Sequence, residues 1–463
     1  MIAIKTTEIE KTAAASVSLP LTDVKIWGRT GAGRSWLGSL VASLPLVLAP
    51  LTCASVFITL RAYSGSFSLF AAAVAEEGFW PVYQQHGPQL TAKGAVAVVC
   101  YVGLQALLFR FLPGELRTGQ YTPAGHLLTY RMNGLSAWTI THLLYFALSW
   151  AGVLDPAFIA RNWSGLIAAM NIAGLAVSVF AFVKAYVSPT HPDDRKFSGS
   201  SVYDFFMGIE LNPRLGEMFD LKLFSNGRPG MILWTLINFS NLAYQHQTLG
   251  HVEPSLALVT VLQVMYVVDF FVNESWYLGT IDIAHDHYGF YLGWGCFCFL
   301  PIMYTVQAQY LGMHPPAAPA SYTYLAVVFA AGLVGYAMFR SVNDQKSKAR
   351  LLGHGCCIWG KPAQYIVAPY RTTDGRAHKS LLLCSGWWGW SRHANYVGDL
   401  LLSYSFCALV RSTNAVVWTY AVWMTLCLVH RCMRDEKRLS VKYGAAWTEY
   451  CQRVPWRFVP GVW

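Results

Sequence analysis

Long apolar stretches dominate this chain, and shorter polar segments separate them. A helix needs about 20 mostly apolar residues to cross a bilayer, so these stretches predict membrane-spanning helices. The first runs from Trp36 to Leu60, and others begin near Gly94, Leu135, Gly165, Pro229, Ser255, Tyr288 and Tyr322. Two shorter stretches between Gly398 and Leu428 are divided by the polar run 411–414. The pattern predicts an all-α, polytopic integral membrane protein with about ten transmembrane helices.

Composition supports a membrane environment. Hydrophobic residues make up 54% of the 463 positions and charged residues only 13%, against about a quarter in soluble proteins. The net charge is +10, but the basic residues lie between apolar segments and near the C-terminus. That distribution argues against nucleic-acid binding and favours cytosolic loops or a phosphate pocket. The 11 cysteines lack zinc-site spacing, so neither a disulfide scaffold nor a metal site is predicted.

The polar segments suggest a simple domain organisation. Residues 1–34 read as a polar tail without the apolar core of a secretory signal, and residues 35–463 as one transmembrane domain. In the long connection 188–228, Glu210 and Arg214 are candidates for an ion pair, and Pro229 suits the start of a helix.

The segment 266–289 concentrates ionisable residues between apolar stretches, and such residues near a membrane suggest a functional site. It contains Tyr266, Glu274, Asp282, His285 and Asp286. A metal held by the His-Asp-His run is disfavoured, because on a helix its two histidines would point about 200° apart. A hydrogen-bonded polar cluster that supplies a proton is the preferred interpretation.

Two later stretches mix aromatic, basic and amide side chains. The run 385–399 contains three tryptophans, and the run 430–455 contains several arginines and acids. An interfacial aromatic belt and a positive-inside flank are the ordinary explanations of these stretches. These explanations do not account for the polar residues within the two stretches. A planar, phosphorylated cofactor would account for them, because aromatic side chains stack on its rings, amides hydrogen-bond to it and guanidinium groups pair with its phosphates.

These motifs resemble the membrane sterol reductases, a family that includes Δ14, Δ7 and Δ24(28) reductases and the lamin B receptor. The resemblance runs in order from about Leu112 to the C-terminus. It rests on Gly-Ile-Glu-Leu-Asn-Pro-Arg at 208–214, Arg-His-x-Asn-Tyr-x-Gly-Asp at 392–399, and His-Arg-x-x-Arg-Asp-Glu at 430–436. Asn226-Gly-Arg-Pro-Gly and the run 273–287 are most similar to the Δ7 members. So is Ala394, which stands where many other members have proline.

The resemblance implies an oxidoreductase that acts on CH–CH bonds with NADPH, bound in the C-terminal half at about residues 255–463. Because no GxGxxG follows a strand, side chains rather than a Rossmann turn would hold the nucleotide. Lys346 and Arg350 are expected at the phosphates, and Trp388 and Asn395 near the rings. The remaining expected cofactor contacts are Arg392, His393, Tyr396, Asp399, Arg431, Arg434, Asp435, Tyr443 and Tyr450.

The implied reaction is reduction of the C7=C8 bond of a Δ5,7-sterol by protonation followed by hydride transfer. Candidate donors are Tyr266, Asp282, Asp286 and Glu274, with His285 as a relay. The alternatives are a Δ14 or Δ24 specificity, an S-adenosylmethionine-dependent membrane methyltransferase, and a non-catalytic sterol-binding protein. The expected partners are a sterol and the lipid bilayer, with no nucleic acid. The expected location is the endoplasmic reticulum membrane in a eukaryote, or the inner membrane in a bacterium.

Overall fold

A computed structural model describes residues 35–316, 318 and 321–463, so the predicted polar tail at 1–34 lies outside the described residues. Helices form most of the described chain. In the first half they are α1 (Trp36–Ser43), α2 (Pro45–Ala62), α3 (Phe67–Glu77), α4 (Phe79–His86), α5 (Ala92–Phe111), α6 (Gly134–Trp150), α7 (Phe158–Arg161), α8 (Trp163–Val187), α9 (Ser201–Met207), α10 (Leu221–Ser225) and α11 (Leu233–Leu249).

The second half continues the helical bundle. Its helices are α12 (Pro254–Val272), α13 (Glu274–Tyr277), α14 (Ile281–Ala284), α15 (Phe290–Trp294), α16 (Leu300–Met303), α17 (Val306–Met313), α18 (Tyr322–Leu352), α19 (Trp387–Trp390), α20 (Ala394–Leu409), α21 (Ala415–Tyr443) and α22 (Ala445–Arg453). The polar run 411–414 separates α20 from α21, and flanking residues extend both helices beyond the apolar stretches seen in the sequence.

Within the described residues, six helical stretches are long and apolar enough to cross a membrane. They are 36–62, 92–111, 163–187, 254–272, 322–352 and 415–443. The polytopic helical architecture is therefore confirmed, whereas six qualifying stretches are fewer than the predicted ten or so. Part of the difference lies in α6, α11 and α20, which have 17, 17 and 16 residues and are close to the minimum length of a membrane-spanning helix.

The strands of the described residues form four two-stranded antiparallel hairpins. They pair β1 (Glu115–Tyr121) with β2 (Leu127–Met132), β3 (Arg214–Leu215) with β4 (Phe219–Asp220), β5 (Cys357–Ile358) with β6 (Lys361–Pro362), and β7 (Tyr365–Arg371) with β8 (Ala377–Leu383). The Thr373 backbone N–H and hydroxyl both donate to the Pro123 carbonyl, which ties the tips of the two long hairpins together.

Two helical runs differ from the sequence expectation. Pro229 does not start a helix: it lies inside a π-helical segment, Asn226–Ile232, that joins α10 to α11. The run predicted near Tyr288 is a series of short helices, with a second π-helical segment at Gly295–Phe299. The wider turn suits a proline that cannot donate a backbone hydrogen bond, and π segments occur frequently at functional sites.

The expected Glu210–Arg214 ion pair is wrong, because each residue has another partner. Lys184 lies 3.0 Å from the Glu210 carboxylate, and Arg214 lies 3.3 Å from Asp220. All four side chains are buried, so each charge is neutralised locally.

The Arg228–Glu274 pair lies in the centre of the bundle. The Arg228 guanidinium donates to Glu274 at 2.7 Å and to the Asn133 side-chain oxygen at 2.8 Å. The second Glu274 oxygen accepts the backbone N–H of Gly134 at 2.9 Å, at the start of α6. Glu274 therefore connects three elements, and its carboxylate is committed to these contacts.

We predict that Glu274→Ala destabilises the protein by about 3–5 kcal/mol, because it leaves the buried Arg228 without its counter-charge. Thermal unfolding of the purified protein in detergent measures this loss. The matched control is Glu115→Ala, whose exposed pair with Arg117 should contribute less than about 1 kcal/mol. Equal melting temperatures for the two variants would contradict this role of Glu274.

Candidate active site

Close packing of α18 against α20 sets the frame of the site. A β-carbon on Gly335 would lie 2.7 Å from the Gly398 carbonyl oxygen, so the two backbones touch where neither residue has a side chain. This contact brings the end of α18, with Lys346 and Arg350, toward the beginning of α20, where His393 and Asn395 lie.

The long helix α21 faces the segment 282–286 through two ion pairs. Arg431 pairs with Asp282, and Arg434, almost one turn later, pairs with Asp286. The Arg431 and Asp282 side chains each keep 23% of their surface accessible, whereas Asp286 is buried. The two pairs fix the distance between α21 and this segment, and the accessible surface marks an open space beside the first pair.

A buried lysine holds the backbone of the same segment. Lys222 donates from Nζ to the carbonyl oxygens of Ile283 at 2.8 Å and Asp286 at 2.5 Å. Asn212 donates a second hydrogen bond to Ile283 at 3.2 Å. Burial lowers the pKa of Lys222 to about 8, while nearby Asp220 acts in the opposite direction. Lys222 thus positions the carboxylates that face α21, a role that the sequence analysis did not assign.

His285 lies in this segment as a neutral side chain. Burial lowers its pKa well below the usual value, and the positive charges of Arg438 and Lys442 lower it further. Its Nδ1 atom is buried without a hydrogen-bond partner. A neutral imidazole carries one ring N–H and can pass a proton, but it lacks the second proton of the imidazolium, so the relay role stays a prediction.

Arg431 is also the electrostatic centre of a tyrosine cluster. Besides Asp282, it interacts with Tyr396, Tyr266 and Asp399. The Tyr266 side chain is half-buried, and its ring centroid lies 5.7 Å from that of Trp234. The structure therefore brings together four of the predicted residues around one guanidinium: Tyr266, Asp282, Tyr396 and Asp399.

Aromatic rings that the sequence analysis missed surround Tyr266. Trp234 lies edge-on to Tyr304 at 5.3 Å, and Tyr304 lies 5.0 Å from Tyr420. The face of an aromatic ring stabilises a nearby positive charge. No sequence signal distinguished these rings from ordinary core residues, because each lies inside an apolar stretch.

Four cations and one acid gather at the end of α21; we call them the cation cluster. Its members are Lys346, Arg350, Arg438, Lys442 and Asp435, which interact electrostatically with one another. Asp435 pairs directly with Arg438. The cluster therefore carries a surplus of positive charge.

Aromatic rings line the cation cluster. Lys346 lies 4.5 Å above Trp388, and Lys442 lies 4.0 Å above Tyr370. The sequence analysis did not include Lys442 and Arg438 in this neighbourhood, although their spacing from Asp435 on one helix was a usable signal.

Several predicted cofactor residues have structural contacts instead. Arg392 pairs with Glu436 at 2.6 Å and donates to the Val454 carbonyl at 2.8 Å, which holds the C-terminal segment. Tyr450 donates to the Trp388 carbonyl at 3.3 Å, and the Trp388 indole donates to the Val342 carbonyl at 2.8 Å. The cofactor roles of Arg392 and Tyr450 stay predictions beside these contacts.

His393 and Asn395 have unsatisfied polar atoms beside the cation cluster. His393 Nε2 and the Asn395 side-chain oxygen are buried without a partner, and the His393 ring stacks on Tyr396 at 5.0 Å. Burial lowers the pKa of His393 to about 4, although nearby Asp435 acts to raise it. Unpaired buried groups of this kind are suited to hydrogen bonding with a ligand.

His393, Cys432 and Glu436 also bring three potential metal ligands within 4.8 Å of one another. Glu436, however, is already paired with both Arg392 and Arg457, at 2.6 and 2.8 Å. Two guanidinium groups on the carboxylate oppose a cation, so the expectation of no metal stays unchanged.

Comparison with known families matches residues 44–463 to the ergosterol biosynthesis ERG4/ERG24 family. The chain belongs to this family. The match extends further toward the N-terminus than the motifs quoted from the sequence, and it confirms the predicted family and membrane fold.

Individual relatives are named as reductases. A 7-dehydrocholesterol reductase of Danio rerio is 47% identical over 79% of this chain and 77% of its own length. One of Xenopus laevis is 46% identical over 81% of each chain. A Delta(14)-sterol reductase of Methylotuvimicrobium alcaliphilum is 36% identical over 94% of this chain and 96% of its own. The relatives' names confirm the predicted enzyme class, an oxidoreductase that acts on CH–CH bonds.

We predict that Lys222→Met lowers turnover by about 10- to 100-fold, because it removes two charge-assisted hydrogen bonds that position Asp282 and Asp286. Steady-state kinetics with matched protein amounts measure the loss. Lys379→Met, on the β7–β8 hairpin away from this segment, is the control and should keep its turnover. Full activity of Lys222→Met would contradict the positioning role.

Proposed function

We propose that this family member reduces the C7=C8 double bond of Δ5,7-sterols with NADPH. The observation that carries the proposal is the arrangement along α21. A surplus of positive charge lies around Lys442, and a half-buried group of carboxylate, guanidinium and aromatic side chains lies around Arg431. A helix rises about 1.5 Å per residue, so roughly 16 Å separates these two positions.

The Δ7 specificity is supported by the comparisons. Relatives named 7-dehydrocholesterol reductase are 35–47% identical and include the two most similar ones reported above, at 46–47%, whereas the Delta(14)-sterol reductases compared are 34–36% identical. The family alone does not separate the two reactions, because relatives of both kinds match most of the chain.

The residues present fit NADPH. Phosphate groups require several cationic donors, and Lys346, Arg350, Arg438 and Lys442 supply them with one acid between them. The unpaired His393 Nε2 and Asn395 oxygen offer hydrogen-bonding groups next to this cluster. We propose that these residues hold the dinucleotide, which when bound supplies a hydride.

The protein's own task is to make the alkene electrophilic. Protonation at C8 of a Δ5,7-diene places a cation at C7, where the C5=C6 bond delocalises it. The partly accessible Tyr304, against which Trp234 and Tyr420 pack, offers an aromatic face that stabilises such a cation. The low-polarity surroundings strengthen this stabilisation because they exclude water.

Tyr266 is the preferred proton donor among the candidates. Asp282 and Asp286 are paired with arginines, and Glu274 is bound to Arg228, so all three are engaged as charged acceptors. A phenol carries its proton at neutral pH. Burial and the Asp399 carboxylate oppose the phenolate left after proton transfer, and Arg431 offsets part of this effect.

Family membership and the reductase names of the relatives argue against the methyltransferase and the non-catalytic sterol-binding alternatives. A methyltransferase would not require the aromatic enclosure around Tyr266, and a sterol-binding scaffold would not require an acid. For a eukaryotic owner we propose the endoplasmic reticulum membrane, and for a bacterial owner the inner membrane.

We predict that purified protein with NADPH removes the conjugated-diene absorbance of 7-dehydrocholesterol. Tyr266→Phe should lower kcat by about 10²-fold or more and leave NADPH binding unchanged, because it removes only the transferable proton. Tyr324→Phe is the matched control, since Tyr324 lies at the beginning of α18 and outside this site.

Asp282→Asn and Asp286→Asn complete the comparison, with a smaller loss expected from each. Full turnover in all three site variants would rule out this acid cluster. Faster reduction of a Δ8,14-sterol than of 7-dehydrocholesterol would instead assign the Δ14 reaction.

A further inference from the structure

The carboxylate of Asp269, on α12, is hydrogen-bonded through only one of its two oxygens. Oδ1 accepts the Tyr336 hydroxyl at 2.9 Å and the Asn273 amide at 3.2 Å. Arg340, on α18, lies 3.1 Å from the same oxygen through its Nε atom. The other oxygen, Oδ2, accepts no hydrogen bond from the described residues, so part of the bonding capacity of this carboxylate is unused.

Ion pairs that hold the fold use both oxygens of their carboxylates. Glu210 accepts hydrogen bonds from Lys184 through both of them. In Glu274, one oxygen binds Arg228 and the other accepts a backbone N–H at the start of α6. Both of these pairs are buried. Asp269 differs from them in its free oxygen and in its exposure, because 13% of its side chain is accessible.

Arg340 has unused donors beside that oxygen. Its guanidinium lies over the Trp276 ring, 4.2 Å from the ring centroid, and this contact fixes the plane of the guanidinium. Neither Nη group donates a hydrogen bond within the described part of the chain, and 25% of the side chain is accessible. An unused acceptor and unused donors therefore lie next to each other, and both side chains are open to a ligand.

The Asp269–Arg340 pair lies on the same helix–helix contact as the proposed proton donor. Asp269 follows Tyr266 by three residues on α12, so the two side chains share one face, with about 5–6 Å between their β-carbons. The Tyr266 ring centroid is 6.2 Å from that of Phe339, the residue before Arg340 on α18. A molecule that reacts at Tyr266 would therefore extend to this pair.

The depth of the pair in the membrane suits one end of an amphiphile. The membrane-crossing stretch of α12 covers residues 254–272, and Asp269 lies within one turn of its end. Tyr266 is one turn further from that end. A sterol in a bilayer keeps its hydroxyl near water and its rings in hydrocarbon, because only the rings gain from leaving water. Asp269 is thus placed for the hydroxyl and Tyr266 for the rings.

We propose that Asp269 and Arg340 bind the 3-hydroxyl group of the sterol and so position its rings against Tyr266. A hydroxyl is both a donor and an acceptor. Oδ2 of Asp269 accepts the hydroxyl proton, and an Nη group of Arg340 donates to the hydroxyl oxygen. This inference rests on the proposed function, since it assigns the residues that recognise the substrate of that reaction.

A comparison of 7-dehydrocholesterol with its 3-deoxy analogue, cholesta-5,7-diene, tests the proposal on the full chain with NADPH. The two compounds share the conjugated diene and differ in the hydroxyl. We expect kcat/KM of the wild-type protein to be at least about tenfold lower for the analogue. Equal kcat/KM values would overturn this inference and leave the proposed function standing. Reduction of neither compound would overturn the proposed function, and this inference with it.

Two variants separate recognition of the hydroxyl from a structural role. Asp269→Asn and Arg340→Gln should each lower kcat/KM for 7-dehydrocholesterol by about tenfold and leave the value for the 3-deoxy analogue within about twofold. Asp155→Asn is the control, because it removes a charge from a half-exposed ion pair outside these contacts, and it should keep the wild-type preference. Equal losses on both compounds in the two site variants would show a structural pair and overturn the proposal.

Discussion

Ion pairs that cross between α21 and the segment 282–286 hold the candidate site together. Removing a charge from water is costly, and an arginine inside a helical bundle is tolerated only when a carboxylate meets it. Arg431 and Arg434 meet that condition through Asp282 and Asp286, while Lys222 fixes the backbone on which both acids sit. The space beside these pairs depends on them, because they set how closely α21 approaches the segment.

The charges of this chain therefore divide into two groups. Arg228, Arg214 and Lys184 each have a buried acid and contribute to folding. The cation cluster differs, since its single acid cannot balance Lys346, Arg350, Arg438 and Lys442. An unbalanced cluster costs stability in the free protein, and binding of an anion would recover that cost. This contrast separates residues that hold the fold from residues available to a cofactor.

Sequence patterns predicted the helical membrane architecture because the hydropathy of a segment indicates whether lipid or water surrounds it. Helix starts near Leu135, Ser255 and Tyr322 agree with α6, α12 and α18. The predicted helix start at Pro229 was wrong because a π-helical segment continues through that residue. The number of spans was harder to predict, because helices such as α20 are close to the minimum length for crossing a membrane.

Within the site, residue types indicated which stretches of the chain contribute side chains, but not which of those side chains contact one another. Arg431 and Asp282 were both predicted as site residues, yet only the fold joins positions so distant in the chain. Arg392 was predicted as a cofactor contact, and its pairing with Glu436 was not predicted. Lys222 and the rings around Tyr266 were missed because their roles arise from contacts between helices, which periodicity does not report.

NADPH titration of the purified protein tests the central claim most directly, with Arg350→Gln and Lys442→Gln compared against Arg376→Gln on the exposed tip of the β7–β8 hairpin. The account predicts at least about tenfold weaker binding for the two cluster variants and an unchanged dissociation constant for the control. Wild-type affinity in both cluster variants, or no NADPH binding by the wild-type protein, would contradict it.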